Sequence, residues 1–345
     1  MSKILGGNAP HLSPVMRSIL SKIEPYLNQH FNAETFNTPQ YECFNGKRVN
    51  EIALKEKVVF LDIEGEWAKI EDEKLDLCFL EDLCKELGNL RGERFNADNP
   101  SLSTELPPPF ARFRVQAIEK KVLYRGGIEI CIRIPNDDRY PLEAFALGEE
   151  AKESGYDYDK IRELVRQKKN ILVSGGTGTG KTSFLNALLS EVNPNERIIT
   201  IEDSKELFVE NENRAEILVS KQGKGNFSYK QALNSAMRMR PDRIFLGEID
   251  TENTLTFLRL ANTGHDGMIS TLHANTAYDT IQAIVNNCAY NTDIAEKTLI
   301  KFIKAGIHFI IQLKTRRHFN EKGEGRMIKE IAQVLDLSKV DINNL

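Results

Sequence analysis

The stretch ILVSGGTGTGKTSFLNALLSEV, residues 171–192, decides the fold class of this chain. It opens on a short apolar run, turns through glycines at 175–182 (GGTGTGKT), and continues as a helix-length segment over 183–192. A strand that passes directly into a helix through G-x-x-x-x-G-K-[ST] has the form of a phosphate-binding loop. Glycines let backbone N–H groups point inward around a phosphate, and the helix adds the positive end of its dipole. The residues expected to hold a nucleoside triphosphate are Gly176, Thr177, Gly178, Thr179, Gly180, Lys181, Thr182 and Ser183. Lys181 has the reach for the β- and γ-phosphates, and the Thr182 hydroxyl is the expected ligand for Mg²⁺.

Outward from this loop, short apolar runs recur at 198–201, 244–246, 268–272 and 307–312. Helix-length segments such as 183–192 and 229–239 separate them, and Ser228 is placed to cap the second. Apolar strands alternating with helices predict α/β architecture, with a largely parallel sheet covered on both faces. The tail, with KGEG at 322–325 turning into 327–335, predicts a final hairpin at the sheet edge. The first half reads differently. Residues 12–30 predict an amphipathic helix with Val15, Ile19, Ile23 and Leu27 on one face. Segments 58–62 and 67–70 flank a turn, as in a hairpin. Leu80, Leu83, Cys84, Leu87 and Leu90 mark a helix ending near Gly92, and 110–117 and 128–134 alternate like strands. A smaller α+β domain over 1–135 is therefore expected, then a linker at 136–142 (beginning NDDRYP) and the phosphate-loop domain over 143–345.

Hydrolysis needs an acidic partner for the loop. Glu248 follows the apolar run 243–246, placed to orient or deprotonate a water. Glu202 and Asp203 end another run, which crossover logic puts in the same sheet. Either can bind Mg²⁺ through water or polarise the nucleophile, and Asp203 can instead cap a following helix. His273, at the end of the run 268–272, can donate to a γ-phosphate or be structural. Arg133, in EICIRIP at 129–135, can reach a phosphate across a cleft or form a surface ion pair, and Arg114 is a weaker candidate for the same role.

A net charge of −4 with acids and bases well mixed argues against nucleic acid as the direct ligand. No apolar run approaches the roughly 20 residues that span a bilayer, and the first residues lack a signal-peptide core. A cytoplasmic address with room for membrane-surface contact is expected. The five cysteines have no zinc spacing and read as buried thiols.

Taken together, these blocks resemble the secretion-superfamily traffic ATPases, above all the VirB-type hexameric ATPase of bacterial type IV secretion systems. GGTGTGKT resembles that family's Walker A, and TIEDSKEL at 200–207 its Asp box. MRPDRIFLGE at 239–248 is similar to its atypical Walker B, and GHDGMISTLHAN at 264–275 to its His box. ELPPPFARFRVQ and EICIRIP resemble the end of its N-terminal domain, so that the resemblance implies phosphate contacts for Arg114 and Arg133 and a γ-phosphate contact for His273. It further implies a RecA-like C-terminal domain, ATP and Mg²⁺ as cofactors, a homohexamer peripheral to the inner membrane, and other secretion-system inner-membrane components as partners. Asp250 stands where the family carries arginine, and AIEKK at 117–121 where a proline-rich turn is common. Two alternatives remain. One is a type II secretion or type IV pilus assembly or retraction ATPase, although the paired-CxxC module of assembly members is missing. The other is a nucleotide-gated interaction module with little turnover; a third option, a nucleic-acid motor on the same loop, has the acidic balance against it.

Overall fold

Proline both opens and closes the first helix. Pro14 begins α1 (Pro14–Ile23), and the Ser13 hydroxyl accepts the Met16 N–H at 3.0 Å. Pro25 has no N–H to extend the helix, and the chain tightens into a 3₁₀ turn at Glu24–Leu27. The helix expected over 12–30 is therefore ten residues long. Its buried stripe is Met16, Ile19, Leu20 and Ile23, while Val15 is exposed, because strict i+4 spacing drifts off a 3.6-residue helix.

In this computed structural model the chain divides into two units, Met1–Asp137 and Asp138–Leu345. The structure describes residues 12–136, 138–219, 227–290, 292–319 and 325–341, without the side chains of 318, 319, 325 and 326. The first unit continues with α2 (Ala33–Phe36), β1 (Val49–Lys55), β2 (Val58–Ile63), β3 (Glu66–Glu71), α3 (Leu77–Arg91), β4 (Ser101–Glu105), β5 (Arg114–Ile118) and β6 (Glu129–Arg133). The hairpin expected around residue 64 is β2–β3, and the helix expected to end at Gly92 is α3, capped by that glycine. Leu90 is exposed, off the buried stripe of α3. The strand expected over 110–117 starts only at Arg114. Following Pro107, Phe110 and Phe113 close two tight turns, through Phe110 N–H to Pro107 O at 3.0 Å and Phe113 N–H to Phe110 O at 3.2 Å.

These six strands form an antiparallel sheet in the order β3-β2-β1-β6-β5-β4. Ile52, Leu54, Leu61, Val115, Ile130 and Ile132 turn inward to a core shared with Ile19 and Leu20 of α1 and Leu80 and Leu83 of α3. The alternate residues form the other face.

The second unit comprises β7 (Ala146–Leu147), α4 (Glu149–Glu153), α5 (Tyr158–Arg166), β8 (Ile171–Gly175), α6 (Lys181–Leu189), β9 (Ile198–Glu202), β10 (Arg214–Leu218), α7 (Tyr229–Arg238), β11 (Arg243–Leu246), α8 (Thr254–Ala261), β12 (Ile269–Leu272), α9 (Ala277–Ala289), α10 (Glu296–Gly306), β13 (Phe309–Phe319) and β14 (Gly325–Asp336). Its sheet runs β10-β9-β11-β12-β8-β13-β14-β7, parallel from β10 to β13. Leu172 joins an apolar cluster with α7 to α10, while Ile171 and Val173 join one with α5 and α6, so helices cover both faces. Tyr140 and Leu142 already pack with this second cluster.

As expected, β9 shares the sheet with β8, with β11 and β12 between them. Three expectations change here. The final hairpin, β13–β14, is not at the edge, because β7 pairs outside it; the expected turn at 322–324 lies outside the described residues. No helix follows Asp203, since the next element is β10, so Asp203 caps none. All five cysteines are free, but only Cys84 and Cys288 are buried. Cys43 and Cys78 sit exposed on a 3₁₀ turn and on the solvent side of α3. Ser228 caps α7 as expected, and the structure adds the second half of a capping box. The Ser228 hydroxyl accepts the Gln231 N–H, and the Gln231 side chain accepts the Ser228 N–H at 2.8 Å. No described helix is long and apolar enough to cross a membrane.

Candidate functional site

The phosphate loop is shaped by where a side chain cannot go. Gly178 and Gly180 have φ of 77° and 88°, the left-handed region that glycine enters without strain. At Gly180 a Cβ would also stand 2.8 Å from Cδ of Lys329, which approaches the loop from β14. The Thr179 hydroxyl donates back to Gly176 O at 2.9 Å and tightens the turn. Thr177 and Gly178 form its exposed tip. Lys181 is the first residue of α6, and Thr182 and Ser183 follow in its first turn, half-exposed.

The Lys181 ammonium lies in the mouth of the loop, donating to Gly175 O at 3.0 Å and Gly176 O at 3.1 Å. It also lies 3.2 Å from His273 Nδ1. An ammonium has no lone pair, so Nδ1 is the acceptor and the neutral ring carries its proton on Nε2. That nitrogen is 3.3 Å from Glu248 Oε1. Lys181, His273 and Glu248 thus form one polar chain across three strand ends. The sheet order makes this possible, because β12, which delivers His273, lies between β8 and β11.

Glu202 ends β9, beside β11, and its Cγ is 3.4 Å from where a Cβ on Gly247 would stand. Its carboxylate is buried and accepts the Glu206 N–H at 2.9 Å and the Leu207 N–H at 2.8 Å. Burial raises its pKa to about 7 against the opposing pull of those two donors, with the Glu206 and Asp203 charges adding to the rise. Asp203, next to it, is half-exposed.

Some supporting residues escape sequence reasoning. Buried Gln312 of β13 bonds the Ser174 hydroxyl through Oε1. It also donates from Nε2 to Asn275 O at 3.1 Å and Ala274 O at 3.3 Å, fixing the segment after His273. A lone glutamine inside the apolar run at 307–313 was its only signal. Behind Glu248, Thr271 donates to Gly247 O at 2.8 Å and Asn253 to Glu248 O at 3.1 Å. Asp250 accepts the Glu252 N–H at 2.9 Å and the Asn253 N–H at 3.2 Å. The carboxylate that replaces the family arginine closes a local turn ahead of α8.

Arg114 and Arg133 belong to the first unit. They face each other directly across β5 and β6, with Glu105 opposite Arg114 on β4 and Glu51 opposite Arg133 on β1. Arg133 is exposed and Arg114 half-buried.

The family described as Type II/IV secretion system protein matches residues 99–324. The chain belongs to that family. Within it, the chain belongs with the VirB11 proteins of type IV secretion systems. It is 31% identical over 288 residues to the type IV secretion system protein VirB11 of Bartonella henselae, covering 73% of this chain and 80% of that one. It is 30% identical over 273 residues to Protein VirB11 of Rhizobium radiobacter, covering 71% and 79%. Among solved structures, the pilus retraction motor PilT with bound ADP superposes with a TM-score of 0.60 at 24% identity, over 86% of this chain and 81% of that one. The Legionella pneumophila ATPase DotB gives 0.60 at 19%, over 92% and 86%. These last two share this chain's fold. Among the described residues no cluster of three His, Cys, Asp or Glu side chains can hold a metal. The Thr182 hydroxyl is a hard oxygen donor, which fits a Mg²⁺ that keeps waters and phosphate oxygens as its other ligands.

Proposed function

We propose that this chain is the ATP-hydrolysing motor of a type IV secretion system, working as a homohexamer on the cytoplasmic side of the inner membrane beside other secretion components. The observation that carries this reading is the polar chain from Lys181 through His273 to Glu248. The loop backbone from Gly176 to Thr182, with Ser183, binds the phosphates. Lys181 offsets charge on the β- and γ-phosphates, and Thr182 holds Mg²⁺, which supplies further charge neutralisation. Glu248 orients the attacking water and accepts its proton, held by Asn253 and by the β11–β12 contact at Thr271. His273 bridges Lys181 and Glu248, so a γ-phosphate arriving at Lys181 alters the partners of Glu248. Glu202 stands behind Glu248 as a carboxyl that holds a proton near neutral pH. Arg114 and Arg133 add charge-assisted contacts to the nucleotide, and their guanidinium forks suit phosphate oxygens. Binding and release of the γ-phosphate then bias the two units between arrangements.

Phosphate release from ATP and Mg²⁺ by the purified chain tests the reading, with Lys181→Ala as the background. Release well above that background is expected. Wild-type release no higher than Lys181→Ala, with anionic lipid present as well as absent, defeats the motor reading.

A further inference from the structure

The loop joining β5 to β6, residues 119–128, is the part of the first unit that the nucleotide chemistry does not use. Its base is ordered. Buried Glu119 receives the Lys121 N–H at 2.7 Å on its carboxylate and donates its own N–H to Pro100 O at 2.8 Å. A 3₁₀ turn follows at Lys120–Val122, and Gly126 N–H closes a further turn on Leu123 O at 3.0 Å. This frame holds two apolar side chains outward: Val122 is 56% exposed and Tyr124 fully exposed at 104%. Single exposed apolar residues are ordinary on a protein surface. Here they alternate with cations, since Lys120, Lys121 and Arg125 flank them and 120–127 holds no acidic residue. Lys120 pairs with Glu81 at 2.8 Å, while Lys121 and Arg125 form no ion pair among the described residues. The chain as a whole carries −4, so this tip is basic against the general balance.

We infer that the 120–127 loop is a docking tip for an anionic lipid bilayer. Tyrosine suits the boundary between headgroup and acyl chain, and adjacent lysine and arginine meet lipid phosphates there. The ends of the hairpin fit this division. Arg114 begins β5 and Arg133 ends β6, whereas the loop joins their other ends. The tip therefore projects from the end of the strands opposite the arginine pair, about 16 Å away along five-residue strands. The inference deepens the proposed peripheral placement and rests on it for biological meaning, but the lipid contact itself does not require ATP turnover.

Sedimentation of the full chain with sonicated vesicles tests it, using phosphatidylglycerol–phosphatidylethanolamine against pure phosphatidylcholine. The inference expects the wild type to bind the anionic vesicles at least tenfold more tightly than the neutral ones, and more weakly as salt rises. The triple variant Lys121→Glu, Tyr124→Ser, Arg125→Glu should lose that preference while keeping wild-type affinity for ATP, which shows that it is folded. A second variant, Trp67→Phe with Tyr124→Trp, should show a blue shift of tryptophan emission on anionic vesicles. Wild type that ignores anionic vesicles, a triple variant that binds them equally, or a tryptophan at 124 whose emission does not move each overturns the inference. Failure of the wild type to bind ATP would count against the proposed function instead and leaves the lipid result readable by itself.

Discussion

Every residue of β8, β9, β11 and β12 in the second unit is buried, whereas β2, β4 and β5 in the first alternate buried with half- or fully exposed residues. A parallel sheet covered on both faces has no room for chemistry along its strands, so functional groups gather at the strand ends. That is where Gly175, Glu202, Glu248 and His273 stand. The antiparallel sheet keeps one face outside its main core, and there Arg133 and Arg114 sit mid-sheet between Glu51 and Glu105. The polar groups are thus gathered past the ends of buried strands in one unit, with Glu202 buried, Glu248 half-exposed and His273 exposed, and laid out on an open face in the other.

The comparison breaks most visibly at Lys181. Lys181→Ala removes the cation at the strand-end site and should lower ATP turnover by about 10²–10³-fold, read by phosphate release. Wild-type turnover in that variant would deny the strand ends their special role. Glu202 gives the next largest effect. Its folded pKa of about 7 lies above the ordinary value of 4.5, so the unfolded chain loses this proton first as pH rises. Its contribution to stability is therefore complete below pH 4.5 and is lost towards pH 7, by up to roughly 3 kcal/mol relative to Glu202→Gln. Denaturant titrations of both proteins at pH 5 and pH 7.5 should show that divergence; parallel values would mean the carboxyl is not held apart from water.

Gln312 sharpens the contrast between a buried polar residue and an exposed one. Gln312→Ala strands its partners at Ser174 and the 274–275 carbonyls, which should cost about 1–3 kcal/mol in urea unfolding. Gln116, which bonds the Ser101 hydroxyl on the open face, should change by no more than about 0.5 kcal/mol on going to alanine. Equal losses at the two would remove the distinction. Arg133→Ala should lower kcat/KM for ATP about tenfold, near 1.4 kcal/mol, with little shift in Tm because the side chain is exposed. Lysine at 133 should recover only part, since it lacks the planar fork. No kinetic change in either variant would leave Arg133 a surface residue.

Much of the second unit was legible because a covered parallel sheet writes itself as apolar runs, and the glycine-rich loop at 175–182 has few other readings. Chain order hid the site's wiring. Glu202 comes next in sequence after α6, yet β12, which arrives much later, is the strand beside β8, and His273 therefore reaches Lys181 first. Gln312 was hidden because one polar residue in an apolar strand does not announce its partners. Asp250 looked like a lost arginine, and its turn-closing role needed the backbone geometry of 250–253. In the first unit, regular i+4 spacing at Val15, Ile19 and Ile23 suggested a longer helix than Pro25 allows.

The central claim is that nucleotide chemistry runs through the strand-end chain of Lys181, His273 and Glu248. Glu248→Gln preserves shape and removes the base, so parallel measurement of ATP affinity and phosphate release in this variant is the most direct test. The account predicts affinity within about threefold of wild type and release lowered by about 10²-fold or more. Release at the wild-type rate from a normally binding Glu248→Gln protein would contradict it.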